Sequence, residues 1–218
     1  MVSDRKHKLL NAMAKLGLGD RPQSLIEGTL VDGVGADVRL VDPFTEQELF
    51  SYPDAAAAQS VLACDAANRA QSEWAKGFSA AQRGQVMQEI SRAVLKNVEP
   101  LATVEAIIAG KPIHDCRVEV AKVAEMFAYY GGWADKIHGE VISVPSGHLN
   151  YTLREPLGVV LQITPWNAPI FTGGWQIAPA IATGNGVVIK PSELTPVTTV
   201  ALVKLAETAG LPSGLVNV

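Results

Sequence analysis

Two short, almost uninterrupted apolar runs constrain the fold of this chain more than any other feature. Leu157 to Ile163 and Val187 to Ile189 both lack the apolar–polar alternation of a strand with one face in water. Between them lies an almost wholly apolar helix pattern that starts at Asn167 and Pro169. Such runs are typical of parallel strands covered on both faces, so we expect both strands to be buried.

The pattern continues to the last residue of the sequence. Thr195 and Pro196 predict the start of a second helix, which ends near Gly210, and Leu215 to Val218 begins a third strand. Right-handed crossovers would make this β-α-β-α-β unit half of a doubly wound sheet, which binds ligands at the carboxyl ends of its strands. The predicted fold class is therefore α/β, with an incomplete Rossmann-type parallel sheet.

The part before the parallel strands has a short β-rich start and is then mainly helical. Alternation in Ser24 to Val31 and in Ala36 to Phe50 predicts antiparallel strands. A later helix is expected to bury Val118 and Phe127 and to end at the pair Gly131-Gly132.

Two alternating runs around a Pro-Ser-Gly turn predict a β-hairpin in residues 137–156. Leu149, Tyr151 and Leu153 share one face of it, so an isolated hairpin would expose an apolar stripe to water. The stripe either folds onto its own domain or contacts another subunit. Pattern alone leaves both alternatives open.

Composition narrows the class of partner. A net charge of -4 without basic clusters argues against nucleic acid and anionic membranes. Every apolar run is shorter than a membrane span and the start lacks a signal-peptide pattern, so we expect a cytoplasmic protein that binds small molecules and other subunits. Cys64 and Cys116 should be free thiols, and neither Cys nor His has the spacing of metal ligands.

Polar side chains follow the first two parallel strands. Asn167 carries two N–H donors and no charge, which suits a developing oxyanion. Glu193 can accept hydrogen bonds from ribose hydroxyls and Lys190 can donate to the same sugar, although the usual GxGxxG fingerprint is absent. Taken singly, Asn167 would more often be a helix cap, and the charged pair a solvated one.

The strings ITPWNAP, IAPAIATGN and VVIKPSE, followed by TP, resemble the NAD(P)-dependent aldehyde dehydrogenase superfamily in order and spacing. The segments DPFTEQEL and EAIIAGKP extend the resemblance over essentially the whole chain. It implies an aldehyde-dehydrogenase-like fold with N-terminal helices and a protruding hairpin. The implied parts are 1–136, the N-terminal part of the cofactor-binding domain; 137–156, an oligomerisation hairpin; and 157–218, the start of the NAD-binding sheet.

The resemblance also implies roles for individual residues. Asn167 would hold the oxyanion and Trp175 would face the aldehyde. Residues implied to line the cofactor cleft are Ile163, Thr164, Pro165 and Trp166. Lys190 and Glu193 would bind the ribose, and Ser192 between them is also implied in cofactor binding. NAD is expected because Glu193 repels a 2′-phosphate, with NADP possible beside Lys190. Gln176 departs from the family, which most often has Lys there.

The implied reaction oxidises an aldehyde to a carboxylic acid through a cysteine thiolate that lies beyond Val218, with the catalytic domain absent from this chain. Cys64 is expected to be a small buried thiol. Cys116, at a helix start, could have a lowered pKa but has no identifiable base. We therefore expect an inactive N-terminal fragment of a homo-oligomeric enzyme. The alternative is a non-catalytic nucleotide-binding or assembly module that pairs with a separate C-terminal chain.

Overall fold

The computed structural model of the chain describes residues 2–218, which form seven helices and nine strands. The helices are α1 (Val2–Lys15), α2 (Ala57–Lys76), α3 (Ala80–Lys96), α4 (Val98–Ile108), α5 (Ile113–Trp133), α6 (Pro169–Ala182) and α7 (Val197–Thr208). The strands are β1 (Ser24–Ile26), β2 (Thr29–Val31), β3 (Asp37–Val41), β4 (Glu48–Pro53), β5 (Val141–Ile142), β6 (Asn150–Tyr151), β7 (Val159–Ile163), β8 (Gly186–Lys190) and β9 (Val216–Asn217). Among the described residues, no helix is both long and apolar enough to cross a bilayer.

The parallel sheet has the order β7-β8-β9, which confirms the predicted α/β class and the β-α-β-α-β unit. Val160 pairs with Val187, and Val187 pairs in turn with Val216. A reciprocal pair of backbone hydrogen bonds between Leu25 and Val218 then joins β1 to the end of β9. The N-terminal hairpin therefore extends the parallel sheet on its β9 side.

Helices cover β8 on both faces. Ile189 faces α6, where a Cβ on Gly173 would lie 4.0 Å from the Ile189 side chain. Gly186 points to the opposite face by the alternation of a strand, and a Cβ there would lie 2.8 Å from the Ala67 carbonyl of α2. The expectation that β8 is a buried strand is confirmed.

Strand β7 is covered on one face only, so the expectation of burial on both faces is wrong for it. Leu161 and Ile163 are 68% and 66% exposed. Both point away from the helix-covered face, where Gln162 donates to the Gln176 carbonyl of α6 at 2.7 Å. Helix α2 lies on this face of the sheet but packs mainly on β8 and β9, so it leaves the apolar side chains of β7 exposed.

The N-terminal part contains two elements that pattern reading missed. Helix α1 was not predicted, and it buries Leu9 and Met13, one turn apart. The run 24–31 is two strands rather than one, because Glu27 and Gly28 turn the chain with φ of 50° and 76°. A hairpin turn that needs two positive φ values is hard to see when its first residue is Glu.

Helix α5 also differs from its prediction. Phe127 is buried as expected, but Val118 is 49% exposed, and the helix runs past the glycine pair to Trp133. The glycine at 131 serves packing instead. A Cβ on Gly131 would lie 3.1 Å from the Gly84 carbonyl of α3, so its absence lets α3 and α5 approach closely.

The predicted hairpin forms with Val141 opposite Tyr151, and every residue of β5 and β6 is exposed. Leu149 and Leu153 are 77% and 71% exposed. The stripe therefore does not fold onto its own domain, which removes the first of the two alternatives. The division at residues 136 and 156 stays a prediction.

Candidate functional site

Two loops at the carboxyl ends of β7 and β8 form one continuous edge. The Thr164 amide donates to the Lys190 carbonyl at 3.1 Å, directly after the last paired residues of the two strands. Further along both loops, the Thr195 hydroxyl donates to the Trp166 carbonyl at 3.2 Å. The β7–α6 loop (residues 164–168) and the β8–α7 loop (residues 191–196) are thus joined at two points, as expected of neighbouring parallel strands.

Asn167 presents a free amide at this edge. Its side chain is exposed, and it makes no hydrogen bond with any residue of the described part of the chain. The residue before α6 is Ala168 and Pro169 occupies the first helical position, so Asn167 is not the cap of this helix. Both N–H groups of the amide remain available to a ligand.

Lys190 and Glu193 lie together at the end of β8. The Lys190 Nζ is 3.9 Å from the nearer Glu193 carboxylate oxygen, too far for a hydrogen bond, and both side chains are more than half exposed. The Leu194 amide donates to the Ser192 hydroxyl at 3.3 Å, which shapes the turn that carries Glu193. Long hydrogen bonds tie the pair to its own turn, from the Lys190 ammonium to the Pro191 carbonyl at 3.4 Å and from the Ser192 hydroxyl to the Glu193 carboxylate at 3.5 Å. Both charged groups remain solvated and can also bind hydroxyl groups.

Tyr52 of β4 is hydrogen-bonded to this turn. Its hydroxyl donates to the Glu193 carbonyl at 3.0 Å across 141 positions of sequence. Burial, together with the carboxylates of Asp54 and Glu193, raises the pKa of Tyr52, so the phenol stays protonated and keeps donating. Sequence reasoning missed Tyr52, since nothing local distinguishes it from any buried strand tyrosine.

A cavity of about 130 Å³ lies beside the same turn. Lys190 and Glu193 form one wall of it. The approach to β1, the end of β4 and the start of α2 also line it, through Gln23, Asp54 and Gln59 among others. The charged pair therefore borders a concave, partly polar space.

The remaining predicted residues are distributed along the β7–α6 loop and the outside of α6. Pro165 and Trp166 are exposed, as is Ile163 before them, while Thr164 is 4% exposed and its hydroxyl has no partner within residues 4–218. Trp175 is 56% exposed and packs edge-on against Phe171, with ring centroids 5.5 Å apart. Ile163, Pro165 and Trp166 thus give the strand end an exposed apolar surface, while Trp175 lies in the second turn of α6.

Both cysteines differ from expectation. Cys64 is exposed on α2 rather than buried. Cys116 is fully buried, and this burial, with a smaller contribution from the Glu105 carboxylate, raises the pKa of its thiol to about 12. A lowered pKa at Cys116 is thus wrong, because removal from water outweighs its place in the first turn of α5. Neither cysteine belongs to the two loops.

Comparison with known proteins agrees with this architecture. The model of the aldehyde dehydrogenase family matches residues 30–218. Betaine aldehyde dehydrogenase of Bacillus subtilis (strain 168) is 37% identical over 196 residues, which are 88% of this chain and 40% of that protein.

Solved structures agree in three dimensions. PnpE in complex with nicotinamide adenine dinucleotide has a TM-score of 0.86 at 42% identity, over 89% of this chain and 40% of that one. Betaine aldehyde dehydrogenase from Staphylococcus aureus in complex with NAD+ has a TM-score of 0.87 at 32% identity, over 97% of this chain and 42% of that one. This chain spans about 40% of the length of these relatives. With the family model matched over residues 30–218 and an overall fold that agrees with these structures, the chain belongs to the aldehyde dehydrogenase family.

Proposed function

We propose that this chain supplies the ribose-binding edge and the oxyanion donor of an NAD-dependent enzyme that oxidises an aldehyde to a carboxylic acid. The observation that carries the proposal is the joining of two strand ends by the Thr164–Lys190 hydrogen bond of 3.1 Å. The loop that carries Asn167 and the turn that carries Lys190 and Glu193 are therefore neighbours at one edge of the sheet. Family membership supports the same assignment.

The residues present fit a dinucleotide. A ribose diol offers donors and acceptors, and the exposed Glu193 carboxylate and Lys190 ammonium supply the complementary groups at one turn. The exposed side chains of Trp166 and Ile163 suit the other half of the ligand. When bound, the nicotinamide would accept the hydride of the aldehyde carbon. NAD is preferred because Glu193 opposes the charge of a 2′-phosphate.

Asn167 would act on the substrate oxygen. Attack on a carbonyl carbon transfers negative charge to its oxygen, and an N–H of the neutral Asn167 amide would donate to that oxygen without a proton transfer. The attacking thiolate would come from a cysteine outside these 218 residues. Cys116 is buried with its pKa raised to about 12, and Cys64 lies on the solvent side of α2. We therefore expect no NADH formation by the purified chain alone with aldehydes and NAD.

The binding part of the proposal is tested by calorimetric titration of the purified chain with NAD and with ADP-ribose. Glu193→Gln should weaken both ligands by roughly 10-fold or more, since a hydrogen bond to a charged group contributes about 1.5–3 kcal/mol. It should also narrow the preference for NAD over NADP. Glu89→Gln, an equal charge change on the exposed side of α3, is the control. Equal NAD affinity in the two variants would exclude Glu193 from the site.

A second candidate function is self-assembly through the hairpin. It is favoured by the exposure of Leu149 and Leu153, at 77% and 71%, which flank β6 on either side. The residues of β5 and β6 are exposed as well. A second copy of the chain is the proposed partner. Sedimentation should show an oligomer that the double variant Leu149→Ser, Leu153→Ser shifts to monomer. Val34→Ser, at an equally exposed apolar residue of a different loop, should leave it unchanged.

A further inference from the structure

A carboxyl group is buried where the helices that follow the two site loops begin. Glu105 of α4 is 1% exposed. One of its carboxyl oxygens accepts a hydrogen bond of 2.6 Å from the Thr198 hydroxyl, and the other accepts from the Ile170 amide at 3.4 Å. Neither contact involves Asn167, Lys190 or Glu193, so Glu105 lies outside the site described above.

The two partners of Glu105 occupy equivalent places in the fold. Ile170 is the second residue of α6 and Thr198 is the second residue of α7. The first turn of a helix has amides without intrahelical acceptors and carries partial positive charge. Neither α6 nor α7 has a side-chain cap at its preceding residue. One carboxyl group from α4 therefore links both helix starts.

Few charged groups surround this carboxyl. Lys111 and Glu119 are the nearest, and they form an ion pair with each other that leaves Glu105 without a dedicated cation. Cys116 adds a neutral thiol. Burial raises the pKa of Glu105 to about 7, while the Thr198 hydrogen bond and Lys111 oppose that shift. Among residues 4–218 this carboxyl has no ion-pair partner, so the hydrogen bonds to Thr198 and Ile170 are what offset the cost of burying it.

We propose that Glu105 is a positioning residue that holds the start of α6 against the start of α7 and so fixes Asn167 relative to the Lys190–Glu193 pair. The link acts through the helices, each of which follows directly on one site loop. The Thr195–Trp166 hydrogen bond joins the loops themselves, and the Glu105 contacts join their helices behind them. The catalytic consequence rests on the proposed function, whereas the link itself does not.

The test is amide hydrogen exchange of the purified chain, read by mass spectrometry without any ligand. Glu105→Leu fills a similar volume but removes both hydrogen bonds. Exchange in residues 164–172 and 190–199 should rise about tenfold, as expected when about two hydrogen bonds are lost from a local opening. Exchange in residues 37–53, the β3–β4 hairpin, should stay within about twofold of the unmodified chain.

Glu105→Gln is the conservative control. Its amide oxygen can accept from Ile170 and its amino group can donate to the Thr198 hydroxyl, so exchange should match the unmodified chain. Thr198→Val cuts the α7 contact alone and should loosen residues 190–199 but not 164–172, which keeps the test decisive if the leucine variant fails to fold. A uniform rise over the whole chain, or no rescue by glutamine, would overturn the proposal. Because no cofactor is used, failure of NAD binding leaves this result unaffected.

Discussion

Two adjacent glycines of α6 should respond in opposite directions to the same substitution. A Cβ on Gly174 would lie 2.7 and 2.9 Å from the two methyl groups of Val123 on α5. A Cβ on Gly173 would meet its nearest atom, the Thr199 hydroxyl oxygen, at 3.5 Å. Both glycines are buried in the same helix, so Gly174→Ala and Gly173→Ala differ in little except the space that receives the methyl group.

The expected magnitude follows from two opposing effects. Alanine is favoured over glycine in a helix interior by about 1 kcal/mol, and both variants gain this equally. Carbon atoms pack at about 3.5–4.0 Å, so the alanine at 174 needs a shift of nearly 1 Å from a fully buried valine with a stiff χ1. Such overpacking costs about 1–3 kcal/mol. Gly173→Ala should therefore stabilise the chain by up to about 1 kcal/mol, while Gly174→Ala should be about 1–3 kcal/mol less stable than Gly173→Ala.

Urea unfolding at pH 7, followed by far-ultraviolet circular dichroism, measures this difference directly. The difference between the two variants removes the shared helix contribution and leaves the packing contribution. Equal midpoints for Gly173→Ala and Gly174→Ala would refute the close approach of α5 and α6. A pair on α5 repeats the test, because a Cβ on Gly131 would meet Met87 at 3.0 Å and one on Gly132 would meet nothing within 4 Å.

Three further outcomes are expected. Burial alone would raise the pKa of Asp42, but the hydrogen bonds and charge of Arg5, together with the Phe44 amide and Thr45, lower it overall. The stabilisation by ionised Asp42 is therefore present above about pH 4 and is lost as pH falls. Arg5→Met should cost about 3 kcal/mol in urea unfolding at pH 7 and less at pH 3, and an equal cost at both would contradict this. Because burial raises the pKa of Glu105 from 4.5 to about 7, its protonated form is favoured in the folded chain and stability should fall as pH rises through that window. Glu105→Gln should flatten that part of the stability profile, and an unchanged slope would reject the assignment. In an enzyme that contains this chain, Asn167→Ala should lower kcat by on the order of 100-fold at unchanged NAD affinity. An unchanged rate of hydride transfer in single-turnover experiments would exclude Asn167 as the oxyanion donor.

The sequence predicted those features whose cause is local. The β-α-β-α-β unit follows from apolar runs and helix signals within about ten residues of each other, and the strand-end positions of Asn167 and Glu193 follow from the unit. Where a local signal has two causes, the prediction failed. The glycine pair at 131 and 132 is typical of a helix end, but the helix runs to Trp133 and the glycine at 131 permits contact with Gly84.

Contacts between distant segments were inaccessible to sequence reasoning. Tyr52 supports Glu193 across 141 positions, and no feature of β4 indicates it. Glu105 is the first residue of the segment EAIIAGKP, yet its partners on α6 and α7 lie 65 and 93 residues further along the chain. Exposure of Cys64 was also missed, because an alanine-rich helix has no clear apolar face from which to predict orientation.

By itself, the sequence determined the family, the parallel sheet and the identity of the polar groups at its edge, because each depends on the order of residues along the chain. Only the tertiary structure decided which of these groups are free. Asn167 does not cap α6, Cys116 is buried with a raised pKa, and one face of β7 and the apolar face of the hairpin are exposed to solvent. Burial and hydrogen-bond partners are set by segments far apart in sequence, and these decide whether an amide, a thiol or an apolar strand can meet a ligand.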